Sequence, residues 1–137
     1  MADSITQVDY FYVTTPDKPG EAARMLAQLK QAGVNLVAFS GFPQGDQAQL
    51  DFVPADAAAF QNVAKRAKWP VVGPKKGFFV QGDDRVGAVA DLLKRLADAK
   101  INVTATEAVC AGAGRYGVLL WVKAGDVKRA AQALGVG

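Results

Sequence analysis

DKPGEAARMLAQLKQAGVNL, residues 17–36, decides the fold, because the chain carries a second version of it. DRVGAVADLLKRLADAKINV, residues 84–103, aligns with it without a gap. Asp17 meets Asp84, Gly20 meets Gly87, Ala23 meets Ala90, Leu26 meets Leu93, Leu29 meets Leu96, Ala32 meets Ala99 and Asn35 meets Asn102. Lys18 with Arg85 and Val34 with Ile101 are close replacements, and the same offset upstream places Phe11 and Val13 on Phe78 and Val80. A repeat of this length marks two copies of one structural unit.

Each copy reads as strand, helix, strand, strand, helix and a short last strand. In the first, residues 8–14 alternate and are rich in β-formers. A helix is expected from Pro19 to about Ala32, with Ala22, Met25, Leu26, Leu29 and Ala32 on one face, Pro19 in the first turn and Gly33 at the stop. Residues 34–42 and 47–53 flank a hairpin turn at PQGD. Asp56 is placed to cap a helix striped by Phe60, Val63, Ala64 and Ala67. WPVV, residues 69–72, supplies the closing strand, and GPKKG, residues 73–77, reads as a short linker. The second copy follows with GFFVQ, a helix from about Val86, INVTATEAV, RYGVLLWV and a helix opened by Asp126. The expected domains are therefore residues 1–73 and 74–137. The second lacks most of a closing strand, since only GVG follows its last helix, so its edge stays open or is covered by a partner or by residues 2–7.

Composition narrows the chemistry. The chain has 137 residues, half of them hydrophobic, one cysteine and no histidine. It can bury a core, but an internal disulfide and the common His-dependent zinc, haem and nucleophile constellations are excluded. The net charge of +3 is mild, and the basic cluster at Lys65, Arg66, Lys68, Lys75 and Lys76 reads as a solvated helix end, so no nucleic acid is expected. There is no apolar run of membrane-spanning length and no leader-like N-terminus, which makes a cytoplasmic location the expectation. Cys110 and Met25 read as inert and as packing.

The element order is that of an α+β fold, two tandem ferredoxin-like βαββαβ units with antiparallel sheets and helices on one face. Such a fold hosts many functions, so the loop after the first strand must decide. A first strand followed by D-x-P-G, an amphipathic helix and then G-V-N-L resembles the ACT domain, the small-molecule-binding regulatory module of amino-acid metabolism. The second copy resembles it more weakly, because Val86 stands where the first has Pro19. The resemblance implies a non-catalytic regulator or sensor binding an amino acid or related metabolite, with no cofactor and no metal. It also implies a ligand between paired modules, near the first-strand-to-helix loop of one and the second strand of its neighbour, with Asp17, Lys18, Pro19, Gly20 and Asn35 for one site, and Asp84, Arg85, Gly87 and Asn102 for the other.

Elementary chemistry fits that set. A helix N-terminus offers N–H donors and partial positive charge to a carboxylate. Gly20 and Gly87 would let backbone approach the ligand, the aspartates would attract its ammonium, and asparagine both donates and accepts. The same residues also read as an aspartate cap, a Pro-Gly turn and strand-entry asparagines.

Two further features bear on partners and rivals. VLLWV, residues 118–122, is apolar on both faces, which a sheet with helices on one side does not need. A covering second copy, a homodimer, is the expectation. FFVQGDDR resembles the acylphosphatase signature, but Arg85 arrives one residue early and the flanking carboxylates would repel a phosphate. GRYGVLLWV echoes the RNA-recognition motif, which needs exposed aromatics that stack on bases.

Overall fold

The computed structural model describes residues 3–136; Ala2 and Gly137, which the edge reading includes, lie outside them. The chain divides into two compact units, residues 9–75, and residues 76–136 together with 3–8. Both are α+β with antiparallel strands.

The first unit holds most of β1 (Ser4–Pro16), then α1 (Glu21–Gln31), β2 (Leu36–Gln44), β3 (Gln47–Pro54) and α2 (Ala57–Ala67). β3 lies between β1 and β2, and Phe52 sits opposite Phe11 on one side and Phe39 on the other. Strand alternation turns this row toward the helices, where the Phe60 ring of α2 stacks on Phe11 at 4.9 Å and meets Phe52 at 5.2 Å. α1 adds Met25 and Leu29, both buried. The β2–β3 hairpin turns on two residues, with Gly45 at φ 66° supplying the positive φ such turns demand.

One expectation fails here. Residues 69–71 are not strand, and GPKKG is not a linker: β4 (Val72–Asp83) begins at the end of WPVV and runs straight through it. The reason lies in Trp69, whose ring packs on Phe52 and Phe60 and whose N–H closes the end of α2 on the Ala64 carbonyl at 2.9 Å. Pro70 has no N–H to give a ladder, so pairing starts beyond it.

The second unit holds residues 76–83 of β4, then α3 (Ala88–Asp98), β5 (Ala105–Gly112), β6 (Arg115–Trp121), a 3-10 turn (Ala124–Asp126) and α4 (Val127–Leu134). β6 lies between β4 and β5, with Phe78 opposite Leu120 and Val80 opposite Val118. These side chains share a core with Leu92, Leu96 and Ala130. β5 starts four residues later than INVTATEAV suggests. Ile101 is spent closing α3, its N–H on the Leu96 carbonyl at 2.9 Å, and the ladder opens with Thr104 N–H on the Trp121 carbonyl at 2.8 Å.

Residues 4–8 of β1 flank the other side of β4, where the Thr6 hydroxyl donates to the Phe79 carbonyl at 3.5 Å. Residues 4–8 thus fill the edge of the second unit beside β4.

The premise for a covering partner also changes. Leu119 and Trp121, on the face of β6 away from the helices, are 5% and 7% exposed in the single chain. The Trp121 ring lies against Gly77, where a Cβ would come within 3.4 Å of it. VLLWV therefore leaves no open apolar patch for a second copy to cover.

Helix ends recur between the units at the level of single bonds. Val34 N–H bonds Leu29 O and Arg24 N–H bonds Gly20 O; sixty-seven positions on, Ile101 N–H bonds Leu96 O and Asp91 N–H bonds Gly87 O. The second helices do the same, with Trp69 on Ala64 and Val136 on Ala131.

Candidate functional site

Both loops of the repeat connect a strand to a helix start. In the first unit, residues 17–19 are exposed between β1 and α1, and Gly20 is the N-cap at φ 92°. Lys18 N–H bonds the Pro16 carbonyl at 3.1 Å, and its ammonium lies 3.7 Å from Glu21. In the second, Gly87 is the N-cap at φ 83° and Asp84 N–H bonds the Gly114 carbonyl at 2.8 Å. Neither α1 nor α3 has a side-chain cap, whereas Asp56 Oδ1 accepts from Ala59 N–H at 3.1 Å at the start of α2. Asp17 and Asp84 are therefore not caps; each helix start opens on a glycine, and at α3 the Ala88 N–H donates to the Arg85 carbonyl at 3.3 Å.

The asparagines stand elsewhere. Asn35 and Asn102 follow the far ends of α1 and α3, each about 16 Å of helix from the loop, given a rise of about 1.5 Å per residue. The structure does not bring Asn35 together with Asp17, Lys18, Pro19 and Gly20 within the first unit, nor Asn102 with Asp84, Arg85 and Gly87 within the second. Asn35 ties its loop to the end of β3 through Ala55 N–H at 2.9 Å, and lines a shallow pocket of about 350 Å³ with Lys30, Val34 and Leu36.

Asp84, Arg85 and Gly87 do converge. They line a pocket of about 240 Å³ whose other walls are the first turn of α3, Ala108, Val109 and Cys110 of β5, and Tyr116 of β6. That is below the about 300–1,000 Å³ of drug-sized sites and suits a small metabolite. The Asp84 carboxylate beside Cys110 pushes the thiol pKa up, which makes Cys110 a poor nucleophile.

Around Arg85 the structure adds residues with no sequence signal of their own. The guanidinium donates to both oxygens of Asp3 at 3.2 and 3.3 Å and to the Asp83 carbonyl at 3.1 Å, and lies 5.9 Å from the centre of the Tyr116 ring. The hydrogen bond from Arg85 holds the Asp3 carboxyl below its ordinary value, and the same bond raises Arg85. Burial first, and then the Asp3 carboxylate, push the Tyr116 phenol up. Asp3 and Arg85 are eighty-two positions apart, so only the pairing of residues 4–8 with β4 could have revealed them.

The chain matches no protein-family model and no curated protein. Solved structures do share its fold. A protein from Bacteroides thetaiotaomicron matches with a TM-score of 0.83 at 14% identity, over 96% of this chain and 88% of that one. The regulatory subunit of aspartate kinase from Thermus thermophilus, in ligand-free form, matches at 0.67 and 15% identity, over 97% and 94%. The corresponding subunit from Thermus flavus matches at 0.60 and 19%, over 98% and 94%. The fold is ACT-like. The ACT-like frame puts the two loops and the 240 Å³ pocket at the helix starts of their units. Among the described residues no group of three acidic, histidine or cysteine side chains is placed to hold a metal, and no helix is long and apolar enough to cross a membrane.

Proposed function

We propose that the chain is a non-catalytic regulatory or sensor protein of the cytoplasm, built from two ACT-like domains that bind a free amino acid or a related metabolite. The observation that carries this reading is the recurrence of a glycine-led helix start with no side-chain cap, backed in the second unit by a pocket of metabolite size. Such a start presents N–H donors and partial positive charge to a carboxylate. The ligand-contacting residues of this reading are Asp17, Lys18, Pro19 and Gly20 in one unit and Asp84, Arg85 and Gly87 in the other. Asn35 and Asn102 would serve separate positions at the opposite helix ends. That regulatory subunits of aspartate kinase share the fold supports a regulatory rather than catalytic role.

The rival chemistries lose support at the same residues. A phosphate cradle needs an anion-attracting loop, yet Asp83 and Asp84 directly precede Arg85 and put two carboxylates in that loop. An RNA platform needs Tyr116 and Trp121 on the surface, and both are buried. A homodimer, if formed, would run along β5, all eight of whose residues are exposed. Sedimentation showing only monomer across a concentration series would remove that part of the proposal.

Thermal-shift measurement against the twenty common amino acids tests the reading. A ligand that binds only the folded state raises stability by mass action, about 2.7 kcal/mol at a hundredfold excess over Kd. No shift with any of them would sink the amino-acid reading.

A further inference from the structure

We propose that Asp3 is a built-in carboxylate ligand of Arg85, a strap that a free carboxylate must displace to take the second-unit pocket. The inference rests on the amino-acid-binding reading and deepens it.

The geometry is that of ligand recognition rather than of a casual surface pair. Arg85 engages Asp3 through two hydrogen bonds, one to each oxygen, the arrangement in which a guanidinium binds a free carboxylate. The Tyr116 ring and the Asp83 carbonyl hold the guanidinium in place. Room for Asp3 is provided by Gly82, where a Cβ would collide with the Asp3 carboxylate and come within 2.8 Å of the Tyr116 ring. Gly82 is not among the glycines with positive φ, so its backbone does not require glycine. Space is the reason left, and it is shared by the Asp3 carboxylate and the Tyr116 ring.

The exposure of the two partners sets the direction of the effect. The Asp3 side chain is 13% exposed and that of Arg85 is 42% exposed, and Arg85 also lines the pocket. The internal carboxylate is shielded while the cation it occupies remains within reach of an incoming one. Both cannot hold the same pair of N–H donors. Asp3 directly precedes the 4–8 segment that fills the edge beside β4, so its release loosens that segment. Lys18, in the corresponding place of the first unit, pairs instead with Glu21 of its own helix. Binding at the second loop is thereby coupled to the N-terminal strand, and binding at the first is not.

The test uses the full chain, the twenty common L-amino acids at millimolar concentration as probes, and hydrogen exchange of the amides of residues 4–8. Asp3→Asn should bind the active amino acid about two- to fivefold tighter than the wild type, the range expected for freeing one partner of a partly exposed ion pair. Adding that amino acid to the wild type should speed exchange at residues 4–8. Asp3→Glu keeps the carboxylate and should stay near the wild type, whereas Arg85→Gln should weaken binding. Equal affinity in the wild type and Asp3→Asn, or binding without faster exchange at residues 4–8, overturns the strap alone. If no amino acid binds either protein, the strap falls together with the reading it rests on.

Discussion

Gly20 and Gly87 hold the same backbone state in the same role, each the N-cap of the first helix of its unit, at φ 92° and 83°. Nothing lies within 4 Å of a Cβ built on either. The requirement for glycine is therefore conformational and not steric. Gly20→Ala and Gly87→Ala should each cost about 1 kcal/mol, the left-handed penalty less the entropy alanine removes from the unfolded chain. Asparagine, which tolerates this region, should cost less than alanine at both positions. Urea denaturation of the wild type and the four variants checks this, and an alanine as stable as glycine would refute it.

Lys100 stands sixty-seven positions after Gly33, and both are left-handed, at φ 59° and 72°. Each also closes its helix the same way, Gly33 N–H on Lys30 O and Lys100 N–H on Ala97 O. Only the second unit bears the strain of a side chain there. Lys100→Gly should raise stability by about 0.5–1 kcal/mol. The reverse change, Gly33→Lys, should lower it by a similar amount, read as opposite shifts in denaturation midpoint.

How much of this is legible in the chain differs from element to element. The helices are legible because Met25 and Leu29, like Leu92 and Leu96, recur at helical spacing and are buried in the structure. Strands β3 and β6 are legible from their apolar runs. β4 is not, because GPKKG has the composition of a turn while neighbouring strands set its extended state. VLLWV misleads for a related reason. Burial of Leu119 and Trp121 depends on the folded chain and not on the local pattern. Of the candidate site, the two loops are visible as a repeated motif, but Asp3 is invisible, since its link to Arg85 exists only once residues 4–8 pair with β4. The asparagines repeat as faithfully as the loops do, yet lie a helix length away from them.

Asp56 and Asp126 both open a helix in the sequence, but only Asp56 caps one. Its carboxylate accepts from Ala59 N–H at 3.1 Å, while that of Asp126 pairs with Arg129 at 3.0 Å and caps nothing. Asp56→Ala should cost about 1 kcal/mol, the usual value of a lost cap. Asp126→Ala removes an exposed ion pair and should cost about 0.5 kcal/mol or less. Thermal melts at low and high salt separate the two, because the exposed ion pair is screened more than a direct cap hydrogen bond. Equal losses, both salt-sensitive, would mean that Asp56 also acts through charge.

Asp51 carries a pH dependence of opposite sign to that of Asp3. It is buried on β3, opposite Tyr12, and accepts from Gln49 Nε2 at 2.9 Å. Burial raises its pKa above the ordinary 3.8, against the lowering effects of Gln49 and Lys75. A carboxyl raised in the folded state binds its proton more tightly there than in the unfolded chain. Its contribution to stability is therefore complete below 3.8 and is lost as pH rises through the raised value. Asp3, lowered by Arg85, does the reverse: its contribution is present above 3.8 and is lost as pH falls through the lowered value. Asp51→Asn keeps an acceptor for Gln49 but cannot ionise. It should match the wild type in acid and exceed it in stability at neutral pH, with the gap opening above the ordinary carboxylate value. Denaturant midpoints for both proteins from pH 3 to 8 provide the check, and a difference that stays constant with pH would show that Asp51 does not titrate differently on folding.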